Sequence, residues 1–140
     1  MIPSAPHFLA YAVHRLTNDI APALPDEYLA QSTGMMGGMM AVATQQADCA
    51  VDDMVWDITQ LHELLTQATV ILEHAQTDQP DFNSLRLSSL IPQYHRLAIQ
   101  LVEVHALVEE MTSAQARALN ARIWDYLTTS AQRRRIDIFD

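Results

Sequence analysis

The residues able to do chemistry are six histidines, one cysteine, a run of methionines and two charged clusters. His7, His14, His62, His74, His95 and His105 are spread along the chain and include no Glu-x-x-His or Asp-x-x-His pair, the ligand unit of di-iron bundles. Three imidazoles converging from different helices could hold a zinc- or nickel-like ion. His14, His62 and His105 are the candidates, because His14 shares a face with His7 and the other two flank apolar seams. Short ligand spacing is absent, so ordinary hydrogen-bonded histidines are the expectation and no metal or other cofactor is assigned. Asp48, Asp52, Asp53 and Asp57 crowd three turns of one helix. Paired carboxylates can serve acid–base chemistry or a divalent cation, but these four point in several directions and read as a solvated acidic surface. Arg133, Arg134 and Arg135 could grip a phosphate or an acidic partner, but read more simply as the favourable basic end of a helix.

The segment Gly34 to Met40 (GMMGGMM) is the most unusual local sequence. Met36, Met39 and Met40 could line a pocket for an apolar ligand. The plainer expectation is close packing, with glycines letting backbones approach and methionines filling irregular gaps. Cys49 has no basic neighbour in sequence and lies on an apolar stripe, so a buried, unreactive thiol is expected. Signatures for nucleotide binding or an activated serine are missing: Gly-x-x-x-x-Gly-Lys, Gly-x-Gly-x-x-Gly after a strand, and Gly-x-Ser-x-Gly.

The elements that must position these residues are helices. Apolar residues make up 49% of 140, with three glycines and six prolines, and Ala, Leu, Met, Gln and Glu favour helix. An all-α, up-and-down bundle of about four helices in a single domain, 1–140, is predicted. The helices are placed at about 4–21, 26–76, 84–111 and 113–132. Pro22 and Pro25 separate the first two. Val51, Met54, Ile58, Leu61, Leu65, Ala68, Leu72 and Ala75 alternate by three and four, a seam for near-antiparallel packing. Leu90, Tyr94, Leu97, Leu101, Val104, Val108 and Met111 form another. Ala116, Leu119, Ile123 and Tyr126 point inward from the last helix, which Thr112 and Gln115 would open as a capping box. Ser89 is the expected cap of a third helix with Pro92 in its first turn, the alternative being a start near Ser84 with a kink. Fifty helical residues would span ~75 Å, beyond the ~40 Å of a compact domain this size. A bend near Gly34, Gly37 and Gly38 is therefore expected in the long second helix.

A second stripe on that helix, Met35, Val42, Cys49 and Trp56, repeats every seven residues opposite the main seam. Left uncovered, it would be a partner surface, for a second copy or another protein. Net charge of −9 with eight arginines and no lysine argues against a nucleic-acid or anionic-membrane surface. The lone cysteine suits a reducing compartment, and the N-terminal stretch lacks a basic lead to its apolar run, so a cytoplasmic protein is expected. The longest uncharged stretch, Tyr28 to Ala47, is too polar at both ends for a membrane span.

The stretch from Ala30 to Leu65, followed by Leu85, Arg86, Leu87, Ser88, Ser89 and Leu90 and then Val104, His105, Val108 and Glu109, resembles small, uncharacterised all-helical proteins of proteobacteria. In these a long Ala- and Leu-rich helix leads through an LRxSxL turn to a second seam. The resemblance covers roughly residues 28 to 135. Their genes lie near phosphotransferase-like and acyl-CoA dehydrogenase genes, which implies an accessory role and assigns no catalytic residue. Together these features point to a non-enzymatic bundle that self-associates or docks on a partner protein. A ligand- or metal-binding bundle, possibly an enzyme with a site between helices, is the alternative.

Overall fold

The computed structural model of the chain describes residues 4–73 and 77–136. Among them the elements are all helical: α1 (Ala5–His14), a π-helical turn (Arg15–Ile20), a 3-10 turn (Ala21–Ala23), α2 (Glu27–Leu72), α3 (Leu87–Glu110) and α4 (Ala114–Arg133). The predicted all-α bundle class holds. The chain divides into two compact units, Met1–Ala50 with Ile136–Asp140, and Val51–Arg135. Residues 27–50 of α2 belong to the first and 51–72 to the second.

The second unit has the hydrophobic core. Ile58, Leu61, Leu64, Leu65 and Ala68 of α2 meet Leu90, Leu97, Leu101, Val104 and Val108 of α3 and Ala116, Leu119, Ile123 and Tyr126 of α4. These are the seams legible in the sequence, with Val51, Met54, Leu72, Tyr94 and Met111 partly buried at their edges. Ala75 and His74 lie outside the described residues. The α2 helix ends where Glu73 adopts a φ of 52°, a left-handed conformation that cannot continue the helix.

Helix starts differ in detail from expectation. Asp26 caps α2 by accepting a 2.9 Å bond from the Leu29 backbone N–H. The cap of α4 is Ser113, whose hydroxyl accepts from the Ala116 N–H at 3.1 Å, one residue beyond the expected Thr112. Arg86, not Ser89, precedes α3, and its carbonyl accepts from the Ser89 and Leu90 N–H groups. Pro92 therefore lies inside α3 rather than in its first turn.

In the first unit, α2 runs through its glycines as one helix, so it does not end at Gly34 to Gly38. Gly37 has a packing reason instead. A Cβ there would fall 2.5 Å from Thr17 Cγ2, and the Thr17 hydroxyl is fixed by a 2.8 Å bond to the Val13 carbonyl. Gly37 thus lets the turn after α1 approach the α2 backbone, while Gly34 and Gly38 have open space around them. Gly37 is the one buried residue among the described residues of this unit.

Candidate functional site

Two arrangements stand out, one in each unit. In the second, Asp57 is completely enclosed. Its Oδ1 accepts from the Tyr126 hydroxyl at 3.0 Å and the Ser130 hydroxyl at 2.9 Å, and its Oδ2 pairs with the Arg134 guanidinium. Tyr126, Ser130 and Arg134 follow one another at four-residue intervals on α4 and its C-terminal end, so they form one polar line facing α2. Beside it Arg133 donates through Nε to Asp53 at 3.0 Å and through Nη2 to Asp52 at 2.6 Å. Arg133 also lies 4.9 Å above the Trp56 ring, which itself stacks on Tyr126 at 5.7 Å.

Burial, reinforced by the Asp57 charge, pushes the Tyr126 hydroxyl well above its ordinary pKa. For Arg134 burial opposes the charge, but the bond to Asp57 and its negative charge outweigh it and hold the pKa above the usual value. Both Asp57 oxygens have partners and none of its surface is open, so no substrate reaches the carboxylate. The arrangement ties α4 to α2. The acidic cluster is accordingly only in part the solvated surface expected from sequence: Asp48 and Asp52 are exposed, whereas Asp53 and Asp57 face Arg133 and Arg134, which do more than complete a helix end. The signal was an aspartate interrupting Val55, Trp56 and Ile58, one position from the main seam.

The candidate metal histidines fall in both units. His14 ends α1 in the first unit, exposed. In the second unit, His105 Nε2 lies 2.9 Å from Asn120 Oδ1 and 3.5 Å from Glu109, with its ring edge-on to Trp124. His62 Nε2 is enclosed without a hydrogen-bond partner, as is Gln100 Oε1. Among the described residues no group of three His, Cys, Asp or Glu side chains is placed to hold a metal ion. A polar cleft of about 420 Å³ opens beside the start of α3. Its Gln93 is committed to Asp81 and Ser89.

The first unit carries the other arrangement. Of the stripe Met35, Val42, Cys49 and Trp56, Met35 and Cys49 are exposed and Val42 is half-buried. Trp56 belongs to the second unit, half-buried against Tyr126 and Arg133. The expectation of a buried Cys49 is therefore overturned. Met36 and Met39 stand in solvent instead of lining an enclosed pocket, and Met40 is half-buried. The exposed face of α2 is rotated from the predicted stripe. Tyr28, Met35 and Met39 are 78%, 69% and 68% exposed, and Leu29 and Met36 beside them 51% and 54%. Their spacings of seven and four put them on one side of the helix, with Ser32, Ala43, Gln46 and Ala47 also exposed along it. Gly37 lies on the opposite side. Sequence periodicity found the helix but not which side the turn after α1 would cover, because that depends on the one glycine that admits Thr17.

No helix among the described residues is long and apolar enough to cross a membrane. Compared with protein-family models, curated proteins and solved structures, the chain matches none.

Proposed function

We propose that the protein is a non-enzymatic helical module that engages a protein through the exposed α2 face of its N-terminal unit. The observation carrying this reading is that the unit leaves Tyr28, Leu29, Met35, Met36 and Met39 open and, among its described residues, fully buries no large apolar side chain. Ordering some fifty residues costs about 1–2 kcal/mol of backbone entropy each, and among its described residues such a unit has only partly buried apolar side chains of its own, Leu9, Val13, Leu16 and Val42 among them, to offset it. At ~200 Å² for a large side chain, the five expose on the order of 600 Å² together, at the upper end of patches seen on free-standing proteins.

A protein is favoured over a membrane surface as occupant. Interfacial helices carry Lys or Arg along their polar side, whereas residues 28–47 carry no charge on a chain of net −9. The test is retention of proteins from source cells by the intact chain and by a Met35→Lys/Met39→Lys variant. Both positions are exposed, so the variant folds normally by circular dichroism. A charge at an apolar interface costs more than 1.4 kcal/mol, so specific capture falls by at least about tenfold. Identical capture by both proteins, self-association included, contradicts the proposal.

A further inference from the structure

Resting on that docking reading, we infer that the occupant of the α2 face is a second copy of this chain, packed with its α2 antiparallel. Three observations carry the inference. The first is charge. Every copy carries −9, so two copies repel wherever like charges meet, and an uncharged contact surface is what self-association of an acidic chain requires. Residues 28–47 supply one, bounded by Glu27 and Asp48. A basic partner would instead be met by exposed carboxylates, and this face presents none.

The second is size. The five large side chains expose on the order of 600 Å², and the exposed Ser32, Ala43, Gln46 and Ala47 extend the same strip. This approaches the ~800 Å² that each partner gives to a standard interface.

The third is shape. A twofold interface must be complementary to itself. The face is bulky at one end, with Tyr28 and Leu29, has the small Ala43 and Ala47 flanking Gln46 at the other, and has methionines between. A parallel pair sets Tyr28 against Tyr28 and Ala47 against Ala47, crowding one end and leaving a gap at the other. The antiparallel pair centred between Gly37 and Gly38 sets Tyr28 opposite Ala47, Ser32 opposite Ala43 and Met36 opposite Met39. Tyr28 then meets the small Ala47 at either end, and the adaptable methionines fill the centre.

Sedimentation equilibrium of the wild-type chain and thiol cross-linking test this. The native cysteine is first removed as Cys49→Ser, and Tyr28→Cys and Ala47→Cys are then made separately in that background. The inference predicts twice the chain mass for the wild type. It also predicts disulfide formation in a mixture of the two variants at least about tenfold faster than in either alone, because pairing raises the local thiol concentration. Faster like-with-like cross-linking in a dimer overturns the antiparallel arrangement and leaves the docking reading intact. A chain of single mass at all concentrations, with no enhanced cross-link, overturns the second copy as occupant. The docking reading then stands or falls separately on whether capture from cells is sensitive to the lysine pair.

Discussion

Replacing Asp57 with alanine would strip the α2–α4 tie of its acceptor while leaving three donors in place. The two hydroxyls at 3.0 and 2.9 Å are hydrogen bonds to a charged group, each about 1.5–3 kcal/mol. The Arg134 side chain is 40% exposed, so water screens its pairing and its share is discounted to about 1 kcal/mol or less. Broken buried pairs cost about 3–5 kcal/mol, and the enclosed carboxylate places Asp57→Ala within that range. A unit of this size holds roughly 4–13 kcal/mol in total, so the loss is a substantial fraction of its stability. In equilibrium urea unfolding followed by circular dichroism, the midpoint drops by about 2 M at an ordinary slope for a small domain. Asp57→Asn keeps the volume and one acceptor oxygen and should fall between. The coupling of Asp57→Ala with Tyr126→Phe in a double-mutant cycle should reach at least about 0.5 kcal/mol. An alanine variant within about 0.5 kcal/mol of wild type, the range of surface substitutions, would refute the claim that this carboxylate is a buried anchor.

Two further outcomes follow from local geometry and electrostatics. Gly37→Ala drives a methyl into Thr17 Cγ2 and should destabilise the first unit by about 1–3 kcal/mol. Gly34→Ala and Gly38→Ala, with open space, should stabilise α2 by roughly 0.5–1 kcal/mol each; limited proteolysis of residues 4–50 reads both. Tyr126 holds its proton more tightly folded than unfolded, so its contribution is fully present below the unfolded value of about 10 and is lost as pH rises above it. Ultraviolet titration should show one of the four tyrosines ionising late or only with alkaline unfolding, and Tyr126→Phe should remove that component.

The three seams of the C-terminal unit were legible because Ile58, Leu61 and Leu65, Leu97, Leu101 and Val104, and Leu119 and Ile123 keep helical spacing and bury their apolar faces on one another. Asp57 was not, since a polar residue beside a seam shows its role only once Tyr126, Ser130 and Arg134 arrive from some seventy positions away. The docking face was half legible. The uncharged run and the methionines marked the segment, but choosing the Tyr28–Met35–Met39 side over the Val42–Cys49 side required knowing that the turn after α1 covers the Gly37 side. Ser113 replaced Thr112 as cap because adjacent hydroxyl residues offer the same hydrogen bond and only backbone geometry chooses between them.

Hydrogen exchange along α2 tests most directly whether its N-terminal face is covered in solution. The account predicts slow exchange over residues 28–47 in the wild-type protein and much faster exchange there in Met35→Lys/Met39→Lys, with residues 51–72 unchanged. Equal exchange over 28–47 in the two proteins would mean that nothing packs on Tyr28, Met35 and Met39, and would contradict it.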